Sequence, residues 1–445
     1  MLGWFGIVRL GFVQAALGAI VVIATSTMNR VMVVELALPA MLPGALVALH
    51  YAVQILRPRL GFGSDEGGRR TPWIVGGIAV LGLGGVLAAA GIGLMAGQPA
   101  AGIALAVLAF VLIGVGVGAA GTSLLVLLAK QVEPGRRAAA ATIVWMMMIV
   151  GFVVTTVVVG KLLDPYTSQR LLAITAAVAA AALAISLIAT LGLEPAKLER
   201  SQPTSAEPPA GRTPFATALR EVWAESRARR FTIFVFVSML AYSAQDLILE
   251  PFAGSVFGYT PGASTQLAGV QHGGVLVGMI LVALAGTGWR GRHIGSLQQW
   301  TVGGCVASCL ALAALACGGL VGASWPLRDN VFALGVANGA FAVSAIGSMM
   351  SHASEGRSGR EGVRMGLWGA AQAIAFGAGG FAGAAASDLA RAAIGTDGPA
   401  YALVFAAEAL MFLAAARLAT RLTAATAVRH SSAASTAGAP LASQA

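Results

Sequence analysis

Two matching sets of polar side chains interrupt long apolar runs in this sequence. The first holds Asn29, Arg30 and Glu35, with Pro39 soon after. The second holds Gln245, Asp246 and Glu250, followed at once by Pro251. Ionisable groups are costly inside a bilayer, so those that persist there pair with one another or line a functional path. Arg30 set against Asp246 and Glu250 would make a polar site between two halves of a molecule, or a gate that is shut while the charges pair. The competing reading is a cluster at helix ends whose long side chains reach out to water. A further pair of positions matches in the same way. His50 and Gln54 are four residues apart, which places them on one face of a helix. Gln271 and His272 fall at the matching depth of a later run. A neutral imidazole in such a place can ligate a metal, or it can hydrogen-bond a neighbouring helix.

The elements that must hold these residues are membrane helices. Hydrophobic residues make up 57% of the 445, and charged residues only 10%, where a soluble domain carries about 25%. The mean hydropathy is +0.81. The net charge of +10 has no soluble face on which to gather, which excludes a nucleic-acid binder. Cys305, Cys309 and Cys317 fall in one apolar run without metal-site spacing and read as packing residues. No GxSxG, Walker loop, HExxH or DDxxD motif is present, so no enzyme chemistry is expected.

A span needs about 20 apolar residues. That rule places spans at roughly 12–34, 38–56, 73–96, 101–129, 138–161 and 171–192, and again at roughly 231–250, 265–287, 293–321, 329–350, 364–387 and 399–420. The expectation is an all-α integral membrane protein of twelve transmembrane helices in two six-helix halves, residues 1–193 and 231–424. Between them, 194–230 reads as a linker with an amphipathic surface helix bearing Phe215, Leu219, Val222 and Trp223. The end of the chain, 425–445, reads as a disordered tail. The first run ends in Asn29, Arg30 and Glu35 rather than in a small-residue cleavage site, so it is expected to be a span and not a cleaved leader. All Lys and Arg except Arg30, Lys161, Arg170, Arg328 and Arg391 fall on one side of this layout, which predicts both termini in the cytoplasm. Met146, Met147 and Met148 suggest a soft, adaptable surface, with ordinary packing against lipid as the favoured explanation.

The loop after the second run carries Gly61-x-x-x-Asp65-x-x-Gly68-Arg69-Arg70. The pattern is similar to the loop between helices 2 and 3 of major facilitator superfamily transporters. Glycines allow the tight reversal. Asp65 is expected to face the positive end of a helix near Glu361–Met365, and Arg69 and Arg70 to stay in water.

Three blocks carry a closer resemblance. They are SerThrMetAsnArgValMetValValGluLeuAlaLeuProAla (26–40), the stretch from Leu49 to Pro72, and TyrSerAlaGlnAspLeuIleLeuGluProPheAlaGlySerValPheGly (242–258). They resemble the PucC/LhaA family, the bacteriochlorophyll delivery branch of the major facilitator superfamily. The resemblance implies light-harvesting complex assembly in a bacterial intracytoplasmic photosynthetic membrane. Bacteriochlorophyll would be cargo and antenna polypeptides would be partners, together with the lipid bilayer and possible contacts with pigment-synthesis enzymes. A chlorin needs an axial magnesium ligand and a large apolar surface, which makes His50, Gln54, Gln271 and His272 the candidate pigment contacts. Two other readings stand beside this one: a transporter of a small solute or pigment precursor, and an accessory subunit of pigment synthesis.

Overall fold

The computed structural model describes residues 2–54, 69–133, 136–194, 215–287, 294–353 and 361–437. Its first helix, α1, runs unbroken from Trp4 to Glu35. It starts eight residues before the expected span because Arg9 does not interrupt it: the Arg9 guanidinium donates to the carbonyls of Ala189 (3.0 Å) and Leu191 at the end of another helix. Two stretches of α1, Ile23–Thr27 and Val31–Glu35, are wound as π-helix. Such turns hold an extra residue and collect at functional sites.

The remaining helices are α2 (Met41–Val53), α3 (Thr71–Met95), α4 (Pro99–Gln131), α5 (Arg137–Leu163), α6 (Ser168–Thr190), α7 (Phe215–Ala224), α8 (Ser226–Phe257), α9 (Pro261–Thr287), α10 (Leu297–Val321), α11 (Leu327–Ala353), α12 (Glu361–Ile394) and α13 (Asp397–Ala437). Among the described residues, eleven helices are long and apolar enough to cross a membrane. The expected second span, 38–56, is represented by α2, which is shorter at 13 residues; the chain after Gln54 lies outside the described residues. The tail expectation is corrected in part, because α13 continues to Ala437. Residues 425–437 contain neither Gly nor Pro, and both follow directly at Gly438 and Pro440, so nothing local stops the helix sooner.

Each half packs its own helices around an apolar core. In the first half, α3 lies against α4 and α6, and α1 against α5 and α6. In the second, α10 packs on α11 and α13, and α8 on α12 and α13. Two seams join the halves: α5 against α9, and α2 against α12. Both depend on close backbone approach. A side chain on Gly262 would collide with the Gly160 carbonyl and the Asp164 carboxyl, and one on Gly44 would press on Ala384.

At the side where the chain termini lie, Glu194 closes the start of α3. Its carboxylate accepts from the backbone N–H of Arg70 at 2.8 and 2.9 Å and of Thr71 at 2.7 Å. These are the orphan donors of a helix start, where a carboxylate is also favoured by the helix dipole. Arg70 is consequently buried, against the expectation that it stays in water, whereas Arg69 is exposed. Gly61, Asp65 and Gly68 lie outside the described residues, as does the linker up to 214. Within α7, Val222 is fully buried and Trp223 is exposed.

Candidate functional site

The expected polar cluster forms where α1 crosses α8, but its partners differ from those foreseen. Arg30 is 2% exposed. It donates to Glu35 Oε1 of its own helix at 2.5 Å and to the Tyr259 carbonyl of the other half at 2.6 Å. It pairs with neither Asp246 nor Glu250 in a salt bridge. The cause is the second π-helical stretch: its i→i+5 winding brings residue 35 back onto the face of residue 30. Glu250 instead accepts from the hydroxyls of Ser26 in α1 and Thr265 in α9. Asn29 donates to the Leu247 carbonyl at 2.6 Å, and Thr27 meets Thr265 at 3.1 Å. The cluster therefore joins the halves mainly through neutral donors. α8 is itself interrupted here by Pro251, inside the helix. Gln245 is fully buried, with neither amide atom bonded.

Asp246 turns away from this cluster. It is partly exposed in mid-helix and accepts from Gln271 Nε2 of α9 at 3.4 Å. The next residue, His272, is also partly exposed. Its Nδ1 contacts the Ala268 carbonyl at 2.7 Å. A carbonyl only accepts, so Nδ1 carries the proton and Nε2 keeps its lone pair. The ring stands edge-on to Phe152 of α5, with centroids 4.9 Å apart. Met146 and Met148 pack against the cluster that Ile149 makes with Val275 and Met279 of α9, and the Met148 sulfur also accepts from Gln14 Nε2 of α1 at 3.2 Å, which corrects the expectation that they face lipid.

His50 is placed differently. It is 2% exposed, its Nε2 lies 3.0 Å from the Gln54 amide nitrogen, and its ring contacts Tyr51. An amide nitrogen donates, so His50 Nε2 is already engaged. The helices that carry the two histidines take part in different seams, α2 of His50 with α12 and α9 of His272 with α5. Gln54 serves His50, and Gln271 serves Asp246.

Three acidic groups were not singled out from the sequence. Asp164, after α5, accepts from Thr260 Oγ1 at 2.6 Å and from the Gly262 N–H at 3.0 Å, at the start of α9. Asp388, in α12, accepts from the N–H groups of Ala40 (3.0 Å) and Met41 (2.7 Å) at the start of α2. Each thus caps a helix of the other half. The third, Glu408 of α13, is 3% exposed and neither of its carboxyl oxygens has a hydrogen-bond partner. The only available signal for it was a lone Glu in the last apolar run.

The sequence profile described as PUCC protein matches residues 27–427. The chain is 54% identical over 425 residues to the bacteriochlorophyll synthase 44.5 kDa chain of Rhodobacter capsulatus, covering 95% of this chain and 96% of that protein. It is 28% identical over 384 residues to Protein PucC of Cereibacter sphaeroides, covering 83% and 81%. Among solved structures, the nucleoside transporter NupG superposes with a TM-score of 0.67 at 13% identity, over 94% of this chain and 99% of that one. At that identity the likeness establishes the fold alone, the twelve-helix architecture of major facilitator transporters.

Proposed function

The chain belongs to the PUCC protein family, and from that footing we propose that it is a membrane assembly factor which binds bacteriochlorophyll and passes it to light-harvesting antenna polypeptides. The observation that carries this reading is His272. Its Nδ1–H is held by a backbone carbonyl, its Nε2 keeps a lone pair, and it is partly exposed at a seam between the halves beside Phe152. A fixed tautomer of this kind is how ligating histidines are oriented. The methionines nearby supply a soft, adaptable apolar surface for a flat macrocycle. His50 is the weaker candidate, because Gln54 already engages its Nε2.

The role is binding and delivery rather than catalysis, in keeping with the absence of catalytic motifs from the sequence. The membrane is the intracytoplasmic photosynthetic membrane, with both termini in the cytoplasm. Purified protein should show near-infrared chlorin absorption. His272→Leu should remove it, while His272→Asn, which can still ligate weakly, should retain part; pigment unchanged in both would assign the cargo to another surface. Deleting the gene should lower antenna bands in whole-cell spectra. Reporter fusions at Gln98 and Ala196 should report opposite sides of the membrane.

The fold favours a second reading, a transporter of a solute or pigment precursor. A colourless preparation that moves such a solute into vesicles would select it. The name of the 54% identical relative raises an accessory role in pigment synthesis, which would require turnover of a chlorophyllide with a prenyl diphosphate.

A further inference from the structure

Glu250 is the carboxylate that the crossing of α1 and α8 leaves without a counter-charge. It is buried, it accepts from the hydroxyls of Ser26 and, at 3.5 Å, of Thr265, and it forms no ion pair among the described residues. The guanidinium beside it is that of Arg30. This group lies over Gly254, one turn beyond Glu250 on the same face of α8, where an added side-chain carbon would stand 3.0 Å from Nη2. Arg30 is already committed to Glu35 at 2.5 Å. One guanidinium therefore faces two carboxylates. A negative charge is left over where an isolated ion is costly.

The other neighbours do not make up the deficit. On α8, Asp246 lies one turn before Glu250 and adds a further carboxyl, held by Gln271. On α9 no ionisable residue stands between Pro261 and Gln271, and His272 keeps one proton, on Nδ1. On α5, Lys161 is exposed, and Asp164 beyond it caps α9. Tyr166 brings only a buried, unbonded hydroxyl. On α12, Arg391 is paired with Asp388. On α13, which packs against α8, Glu408 is one more buried carboxyl.

Oxygen atoms surround Glu250 instead. Ser26 and Thr27 belong to the first π-helical stretch of α1, a winding that collects at functional sites. Thr27 Oγ1 meets Thr265 Oγ1 at 3.1 Å. Asn29 reaches the turn of α8 just before Glu250. Its amide nitrogen donates at 2.6 Å to the Leu247 carbonyl, which Pro251 leaves without its helical N–H. Asn29 is 1% exposed, and its Oδ1 has no partner. Three hydroxyl hydrogens thus face two carboxylate oxygens, an amide oxygen and the hydroxyl oxygens themselves. The group is short of donors as well as of positive charge.

We propose that Glu250 binds a sodium ion, with the hydroxyls of Ser26, Thr27 and Thr265 and the Asn29 Oδ1 as further oxygen donors. The set holds neither thiolate nor imidazole, so it suits a hard cation rather than a transition metal. One carboxylate balances one positive charge; a divalent ion would leave its surplus beside Arg30. Ion sites of membrane transporters lie at such interfaces between repeats. The donors come from α1 in one half and from α8 and α9 in the other, so the ion ties the halves together. The inference stands apart from the pigment reading and uses none of its residues.

Thermal unfolding of the full-length protein in detergent tests the site, with protein made in a host that lacks bacteriochlorophyll. Choline, potassium and sodium chloride are compared at equal ionic strength. Sodium should raise the melting temperature saturably, because a ligand bound only by the folded state stabilises it; potassium and choline should not. Glu250→Gln should abolish the rise, and Ser26→Ala should move its midpoint to severalfold higher sodium. Glu35→Gln frees Arg30 for Glu250 and should weaken the response, whereas Asp246→Asn and Glu408→Gln should keep it. The salt comparison on the unsubstituted protein needs no variant to fold, and indifference to sodium there would overturn the proposal. So would a sodium response that survives Glu250→Gln, or one lost in Asp246→Asn or Glu408→Gln. A melting temperature that follows pH but ignores sodium would assign the balancing charge to a proton and overturn the sodium site. Pigment is absent throughout, so failure here leaves the assembly reading untouched, and loss of that reading leaves this one standing.

Discussion

The two seams between the halves share their ends and differ in their middles. At the side opposite the chain termini, each seam is closed by an aspartate of one half on a helix start of the other: Asp164 on α9, and Asp388 on α2. Between these caps and the opposite side, α5–α9 carries Met146, Met148, Phe152 and His272. The α2–α12 seam carries the Tyr51–Phe376 contact and the tight approach of Gly44 to Ala384. The ends agree because any buried helix start presents orphan N–H groups that need acceptors. No such backbone demand acts on the middles, and they are free to diverge. One became a close small-residue contact, and the other an adaptable surface with a polar ring nitrogen.

Substitutions can break this comparison, the largest effect first. Gly262→Ala forces a methyl group into the Gly160 carbonyl and the Asp164 carboxyl, both parts of a packed seam. It should cost about 3 kcal/mol, the upper end of overpacking, and lower the melting temperature of the purified protein more than Gly44→Ala, whose nearest obstacle is a methyl group at 2.9 Å. Equal shifts would mean that the seams are equally tolerant.

The caps should come next. Asp388→Ala removes two backbone acceptor contacts and leaves Arg391 without its partner; a loss of about 2 kcal/mol is expected. Asp164 is exposed, so Asp164→Ala should cost nearer 1 kcal/mol, and Asp164→Asn less, since asparagine caps equally well. Thermal unfolding of both variants in one detergent checks the order. Reversal would show that the α5–α9 seam relies on its cap more than burial indicates.

The smallest effect sharpens the account of the crossing between the seams. Arg30 pairs with Glu35 and Asp246 with Gln271. Arg30→Ala and Asp246→Ala should therefore be additive in stability to within about 0.5 kcal/mol. A coupling energy well above that would restore the direct charge pair that the sequence pattern implied.

Local spacing carried much of this protein without help from the fold. Apolar run lengths revealed the membrane class, the two halves and nearly every span, because a bilayer demands length and composition from each helix separately. The same logic flagged Arg30, Asp246, Glu250, His50 and His272 as costly and therefore meaningful. It could not say which of them meet. Arg30 finds Glu35 only because α1 winds into a π-turn, Glu194 finds the start of α3 across more than a hundred residues, and Asp164 and Asp388 find helix starts in the opposite half. Glu250 gains its oxygen neighbours only where α1 and α9 meet α8. Periodicity along one helix reports which face a residue occupies; the partner on that face is set by the packing of helices distant in sequence, and only the tertiary structure decides it.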